Sequence, residues 1–209
     1  MASDLLRDAL ILLSTIDPIG TVLVFAVVSE GMNAGARRRL AGRAVVIAGV
    51  TLIGFLVLGQ VALAAMHVSL TSFQIAGGVF LFLFGAQMTL TDFTSHIAGP
   101  DDGKGSRDPA VFPLAIPAIA SPGALLAVVV LTENARYSTA HQAMTAGVLI
   151  AILGLTYVAL RWSSQLMRWL GRTGGAALIR ILGMILAALA VEMVVEGLVR
   201  LGVLRGAGG

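Results

Sequence analysis

Six long apolar segments follow one another along the chain. They span residues 9–29, 44–66, 68–91, 110–132, 142–160 and 176–199. Each is close to the ~20 residues that a helix needs to cross the hydrocarbon core of a bilayer. The pattern therefore predicts an all-α membrane protein with six transmembrane helices. Little more than His67 separates the second segment from the third, which predicts a tight helical hairpin through residues 67–72.

A polar stretch at residues 92–109 divides the six segments into two groups of three. It is rich in Gly, Asp and Pro and has no apolar pattern, as is typical of an aqueous linker. We therefore expect a single transmembrane domain. Repeat one covers residues 1–91, a cytoplasmic linker covers 92–109, and repeat two covers 110–205.

The first and fourth segments each carry a helix-break signal near their middle. An Asp at the centre of a spanning helix costs roughly 2.5–3.5 kcal/mol on insertion scales, yet Asp17 stands there, followed by Pro18. Ser121 and Pro122 occupy the corresponding place in the fourth segment. Asp and Ser are favoured N-cap residues, and Pro is favoured at the first helical position. We expect helices 1 and 4 to be broken in mid-membrane, the alternative being a kinked helix that Asp17 only caps.

The two groups of segments resemble each other in their spacing. Pro18 and Pro122 are 104 residues apart, and Gly77 and Gly183, in similar stretches of segments three and six, are 106 apart. Three spans is an odd number, so two such repeats must be inverted in the membrane. Inverted repeats with broken helices at matching positions are typical of secondary transporters, whose substrate sites lie near the breaks.

Composition narrows the class of protein and of site. The chain is 57% hydrophobic and 12% charged, with a mean hydropathy of +0.94, whereas soluble domains carry about 25% charged residues. It has no Cys, and its scattered His67, His96 and His141 predict no metal site and no cofactor. Its net charge of +3 is attributed to arginines in loops, which are expected to set the topology and not to bind nucleic acid. The N-terminus lacks the features of a removable signal peptide.

Basic residues are distributed unequally between the two sides of the predicted bundle. One side holds nine, namely Arg37, Arg38, Arg39, Arg43, Lys104, Arg107, Arg161, Arg168 and Arg172, and the other side holds four. Loops rich in Lys and Arg stay in the cytoplasm. We therefore expect a multi-pass protein of the cytoplasmic (inner) membrane with both termini outside the cytoplasm. Trp162 and Trp169 are interpreted as anchors at the inner interface.

Three motifs carry a family resemblance. They are Asp-Pro-Ile-Gly at 17–20, Phe-Pro-Leu-Ala-Ile-Pro at 112–117 leading to Ser-Pro-Gly at 121–123, and Arg-Ile-Leu-Gly at 180–183. Through them nearly the whole chain is similar to the MarC family of integral membrane proteins. The resemblance implies six spans in two inverted repeats, and proton-coupled transport of small neutral amino acids such as glycine and alanine. Family members commonly have Asn at the position of Thr21 and Gly at the position of Ser121.

The breaks define the predicted substrate site. We expect a small zwitterionic amino acid to bind between them, with its carboxylate near the amides of Gly123 and Ala124. Its ammonium is expected near Asp17 or near the carbonyl oxygens freed by the breaks. The predicted binding residues are Thr15, Asp17, Pro18, Gly20, Thr21, Ser121, Pro122, Gly123 and Ala124. For each Gly, close helix packing is the alternative interpretation.

Acidic side chains within apolar segments supply the candidates for a coupling proton. Asp17 and Glu192 are these candidates, because burying a charge in a membrane segment is costly and usually functional. Glu196 and Arg200, four residues apart, are predicted to form an ion pair near the end of the sixth helix. Arg180, near the start of the same segment, is interpreted as either structural or functional.

A secondary transporter, and not an enzyme, is the leading functional hypothesis. Its expected partners are a small neutral amino acid, a proton and the lipid bilayer, with a homo-oligomer left open. The alternatives are an exporter or channel for another small polar solute, and an intramembrane enzyme. A rhomboid-type protease needs a membrane-embedded Ser and His, but the three His fall at or beyond segment ends; the His-Glu-x-x-His motif of metalloproteases is also absent.

Overall fold

The computed structural model describes residues 2–90, 108–133 and 137–204, and every regular element in these ranges is a helix. The helices are α1 (Ala2–Ile16), α2 (Pro18–Val28), α3 (Ala34–Ala65), α4 (Leu70–Leu90), α5 (Ala110–Ile119), α6 (Pro122–Leu131) and α7 (Thr139–Arg200). The predicted all-α class is thereby confirmed.

Five helical stretches in the described chain are long and apolar enough to cross a membrane. They are Asp4–Val28, which joins α1 to α2, then Ala34–Ala65, Leu70–Leu90, Thr139–Ser163 and Arg180–Arg200. Helices α5 and α6 meet at a bend of 54° and make a sixth span when they are counted together. The chain is therefore a multi-pass integral membrane protein.

Helix α3 begins earlier than the apolar pattern indicates. The second segment was expected to begin at residue 44, but α3 begins at Ala34, where the side chain of Asn33 accepts a 2.8 Å hydrogen bond from the amide of Ala36. Arginine is a good helix former, so the basic stretch before the apolar run extends the helix. The predicted hairpin after α3 is confirmed, with His67 in the left-handed region (φ 54°).

Helix α7 corrects the predicted separation of the fifth and sixth segments. They belong to one helical run of 62 residues, which would be about 93 Å long if straight. A bilayer core is only ~30 Å thick. Thr145 contacts α1, and the backbone of Met193 contacts α4, so both ends of α7 pack on the same bundle. The axis of α7 must therefore change direction between the spans Thr139–Ser163 and Arg180–Arg200.

Small residues let α4 pack closely against the second span of α7. A Cβ built on Gly85 would lie 2.6 Å from the carbonyl oxygen of Gly183, and one built on Gly78 would lie 2.9 Å from that of Ala190. Helices that approach this closely in a membrane gain van der Waals contact where lipid supplies no hydrophobic driving force. The glycines of α4 therefore serve packing along most of the helix.

Two arginines of α3 connect it to α7 and to the residues that precede α5. Arg37 donates a 2.8 Å hydrogen bond to the hydroxyl of Ser163, and Arg43 forms an ion pair with Asp108. Asp108 also accepts a 3.0 Å hydrogen bond from the amide of Ala110 at the start of α5. The end of the predicted linker is thus part of the folded domain.

Some predictions fall outside the described residues. These are the rest of the linker at 92–107, His96 within it, and the side chain of Trp169. Trp162, beside it in the predicted anchor, is 72% exposed on the surface of the described chain. That exposure suits contact with the membrane interface.

Candidate functional site

Helices α1 and α2 meet at Asp17, a junction called the first break here, and together they count as one candidate span. Helix α1 ends at Ile16, Asp17 adopts the left-handed conformation (φ 45°, ψ 74°), and α2 begins at Pro18. The Oδ1 atom of Asp17 accepts a 3.0 Å hydrogen bond from the amide of Gly20. A Cβ built on Gly20 would overlap Oδ2 of the same carboxylate, so this tight cap requires glycine there.

The second helix break is centred on Ser121. Helix α5 is irregular, with π-type turns and extended backbone at Phe112 and Ile116, because Pro113 and Pro117 interrupt its hydrogen bonding. Ser121 is extended (φ −67°, ψ 158°), and α6 begins at Pro122.

The caps of the two half-helices have the same hydrogen-bonding pattern. The side chain of Ser121 accepts a 3.0 Å bond from the amide of Ala124, as Asp17 does from Gly20. Main-chain oxygens of the caps accept the next amide in each case, from Leu125 at 2.9 Å and from Thr21 at 3.0 Å. The caps leave the amides of Ile19 and Gly123 unused in the two first turns.

The two breaks lie against each other. The hydroxyl of Ser121 donates a 2.8 Å hydrogen bond to the carbonyl oxygen of Thr15, just before the first break. In the opposite direction, the hydroxyl of Thr21 donates a 3.2 Å bond to the carbonyl oxygen of Ala118, just before the second. Each half-helix therefore satisfies a backbone acceptor released by the other break, and the two form one structural unit.

Helix α4 closes this unit from one side. A Cβ built on Gly77 would lie 2.5 Å from Cβ of Pro122, so only glycine lets α4 approach the start of α6 so closely. The sequence comparison of the repeats points to Gly77 as a landmark but does not predict this contact, which depends on how α4 docks.

Comparison with known proteins identifies the family of the chain. The sequence profile described as MarC family integral membrane protein matches residues 3–201. The chain belongs to the MarC family. The UPF0056 membrane protein YvbG of Bacillus subtilis is 31% identical to it over 187 residues, 87% of this chain and 88% of the relative. The UPF0056 inner membrane protein YhgN of Escherichia coli K12 is 29% identical over 94% of this chain and 96% of its own.

An archaeal relative completes the comparison. A UPF0056 membrane protein of Archaeoglobus fulgidus is 33% identical to this MarC chain over 189 residues, 88% of the chain and 86% of the relative. No solved structure matches.

The predicted binding residues of this MarC protein differ in accessibility. Asp17 is exposed, as is the neighbouring Ile19 at 78%. Pro18, Thr21 and Ala124 are buried, whereas the remaining predicted residues Thr15, Gly20, Ser121, Pro122 and Gly123 are half-buried. The amide of Ala124, which was expected to meet the substrate, donates to the cap instead, so of the two expected amides the cap leaves that of Gly123.

Glu192, the second candidate for a coupling proton, is exposed on α7 and far along the chain from both breaks. The predicted pair of Glu196 with Arg200 is confirmed, with an N–O distance of 2.6 Å. Glu196 also accepts a 3.0 Å bond from the buried side chain of Gln74 on α4. This pair therefore fixes the end of α7 against the start of α4.

Sequence reasoning missed one buried polar cluster, formed by Asp8 on α1 with His141 and Thr145 on α7. Asp8 stands beside Arg7 at the edge of the first apolar segment and has the sequence context of an ordinary terminal charge. The four-residue spacing of His141 and Thr145, which places them on one helix face, is the only local signal.

Proposed function

We propose that this MarC protein is a secondary transporter of small neutral amino acids of the size of glycine or alanine. The observation that carries the proposal is the pair of capped half-helices joined by the bonds from Ser121 to Thr15 and from Thr21 to Ala118. Helices broken within the membrane are tolerated only where their backbone lines a site or is satisfied by protein. Such breaks bind substrate in several transporter architectures.

The chemistry of the two breaks suits a zwitterion. The half-helix starts present amides and the positive end of the helix dipole, which favour a carboxylate. The Ser121 cap is neutral, so the amide of Gly123 receives the carboxylate without repulsion. At the other break, Oδ1 of Asp17 caps the helix, and Oδ2 remains for an ammonium group. Gly20 leaves room for Oδ2 of Asp17, and Gly123 adds no side chain beside its own amide.

An inverted-repeat architecture is part of the proposal. In support, both breaks have the same order of cap, Pro, unused amide and capped amide, 104 residues apart. The contacts of the third helices are less alike. Gly77 packs against Pro122, whereas the nearest neighbours of the matching Gly183 are on α4. The repeats would thus share their local breaks while differing in how their third helices dock.

Alternating access would operate by separating the two half-helices. Two hydroxyl bonds join them, each worth about 1 kcal/mol net, so the connection is strong enough to define a state and weak enough to break. Both termini are proposed to lie outside the cytoplasm. The contacts of Arg37 with Ser163 and of Arg43 with Asp108 would then lie at the inner face. Proton coupling and the direction of transport belong to the same proposal.

Two other functions remain for comparison. A channel for a small polar solute would also need polar breaks, but not an exchange of two bound states. An intramembrane enzyme would need a nucleophile that donates to a base. The buried hydroxyl of Thr145 donates to the carboxylate of Asp8, and not to a nitrogen of His141, which disfavours that chemistry.

Counterflow in proteoliposomes tests the proposal. Vesicles loaded with unlabelled glycine should accumulate external labelled glycine transiently above the equilibrium level, because a carrier exchanges one for the other. Vesicles loaded with unlabelled alanine should give the same transient accumulation of labelled glycine, whereas vesicles loaded with glutamate or lysine should not. Labelled glycine that only equilibrates, with no overshoot, would indicate a channel. No protein-dependent movement of either amino acid would rule out the proposed substrate class.

A further inference from the structure

Asp8 is the one buried acidic residue among those that the structure describes. It is 2% exposed on α1, nine residues before Asp17, and it faces His141, which is 9% exposed on α7. A carboxylate buried in this way needs partners, because leaving it unpaired in a low dielectric costs several kcal/mol. Its surroundings therefore show what it can bind.

One carboxylate oxygen of Asp8 contacts both Thr145 and His141. Oδ2 accepts a 2.7 Å hydrogen bond from the hydroxyl of Thr145 and lies 3.1 Å from Nε2 of His141. Nε2 is within ion-pair distance of that oxygen but has no hydrogen-bond partner among the described residues. Two further titratable groups face the pair within the described chain. They are Asp4, which is exposed one turn earlier on α1, and Tyr137, whose ring stacks on His141 at 4.5 Å.

Thr145 allows the cluster to gain a proton without losing a hydrogen bond. With Asp8 ionised, the hydroxyl of Thr145 donates to Oδ2. If Asp8 is protonated, the acid can donate to the Thr145 oxygen, and the hydroxyl proton can turn to the carbonyl oxygen of His141, 3.1 Å away. Both protonation states are therefore satisfied, which a purely structural ion pair would not require.

We propose that Asp8 and His141 together form the site that binds the coupling proton. The inference rests on the proposed transport function and deepens it. One proton from the aqueous phase is bound by the pair as a unit and later released, and no other bond forms or breaks. Helix α1 carries Asp8 near its middle and the Thr15 carbonyl at its C-terminal end. Changing the charge between α1 and α7 therefore changes how firmly the first break is held.

The donor set favours a proton over a metal cation. Hard cations such as Ca²⁺ and Mg²⁺ take six or more oxygen ligands. At Oδ2 of Asp8 the neighbours are one hydroxyl and one ring nitrogen. An imidazole and a carboxylate in contact are instead a common pair for proton transfer. The assignment differs from Asp17 and Glu192, both of which are exposed.

The test compares two transport modes in the same proteoliposomes. Glycine counterflow without a gradient reports substrate binding and exchange, and glycine accumulation driven by a pH gradient reports coupling. In Asp8→Asn, which preserves size and an acceptor oxygen, the ratio of driven accumulation to counterflow should fall by about tenfold or more. His141→Gln should give the same result, and Thr145→Val a smaller loss.

A matched variant controls for the loss of a buried hydroxyl. Thr156→Val removes a buried hydroxyl that bonds back only to Ile152 in its own helix. It should not change the ratio. If Asp8→Asn does not insert, His141→Gln decides the question alone. A parent-like ratio in folded Asp8→Asn or His141→Gln overturns the inference. So does glycine accumulation by the parent protein that is driven by a sodium gradient and not by a pH gradient. Absent counterflow in the parent instead overturns the proposed function.

Discussion

The hydroxyl of Ser121 joins the two halves of the chain to each other through the backbone of Thr15. It donates a 2.8 Å hydrogen bond to the carbonyl oxygen of Thr15 and accepts a 3.0 Å hydrogen bond from the amide of Ala124. A hydroxyl has one proton to donate, and this one is used between the halves. The atom that starts α6 is therefore also the atom that places α6 against the first break.

Replacing Ser121 should remove both functions of that atom. Ser121→Ala is expected to lower the free energy of unfolding by about 1 kcal/mol through the lost cap and by about 1 kcal/mol through the lost bond to Thr15. Ser121→Thr retains the hydroxyl and should stay near the parent. Thermal unfolding in detergent measures the difference. Equal midpoints for Ser121→Ala and the parent would show that the hydroxyl carries neither role.

The reciprocal bond from Thr21 can be tested separately. Thr21→Val keeps the shape of a buried side chain, which is 2% exposed, and removes the donor to Ala118. About 1 kcal/mol of stability should be lost, and more if the buried carbonyl finds no other donor. Thr156→Val is the control, because Thr156 is equally buried but bonds only within its own helix. An equally large loss of stability in Thr156→Val would mean that the hydrogen bond from Thr21 to Ala118 adds no stability of its own.

The closeness of α4 to the second break predicts an overpacking effect. Gly77→Ala would place a methyl group 2.5 Å from Cβ of Pro122, and such crowding typically costs 1–3 kcal/mol. Gly54→Ala, on α3, is the control, since nothing lies within 4 Å of its Cβ position. It should be neutral or slightly stabilising, because alanine is the better helix former. Indistinguishable unfolding midpoints for the two variants would contradict the described contact.

The sequence predicts the local parts of this site well. Capping is a property of neighbouring residues, so Asp-Pro and Ser-Pro suffice to locate both helix starts. The partners of the capping and first-turn hydroxyls are not local, and no pattern links Thr21 to Ala118 or Ser121 to Thr15. For the same reason Asp8 was not recognised, because its burial depends on a helix more than a hundred residues away.

Helix ends show a second limit of sequence reasoning. An apolar segment marks the part of a helix that lies in lipid, because polar groups are costly there. Outside the lipid that cost is absent, so the helix can continue into water. Helix α3 therefore begins at Ala34 and includes the basic residues before its apolar segment. Helix α7 likewise includes the polar stretch between its two spans. Hydropathy gives the membrane-embedded part of each helix and not its length.

The topology of the bundle gives a prediction that needs no functional assay. Arg37 contacts Ser163 and Arg43 contacts Asp108, so three of the basic regions meet at one end. The excess of Lys and Arg there predicts a cytoplasmic location. The chain has no Cys, so a Cys at Ser106 can be labelled without background. It should react with a membrane-impermeant thiol reagent only after the cells are opened. Reaction in intact cells would reverse the proposed orientation.

The charge of Asp17 is the most direct test of the substrate site. Asp17→Asn keeps the capping oxygen and tolerates the left-handed conformation, so the helix break should persist. Removing the charge should weaken glycine binding by about 1.5–3 kcal/mol, because a bond between the carboxylate and the substrate ammonium is lost. Asp17→Ala should in addition lose about 1 kcal/mol of stability with the cap.

Binding of labelled glycine to the purified variants, measured together with thermal unfolding, separates the two roles of Asp17. An affinity loss in Asp17→Asn at parent-like stability assigns the charge to the substrate. Glu192→Gln serves as the control, since Glu192 is also an exposed carboxylate in an apolar segment but belongs to neither break. It should bind glycine like the parent. If Asp17→Asn also binds like the parent, the carboxylate only caps α2, and the ammonium of the substrate must then be held by carbonyl oxygens at the breaks.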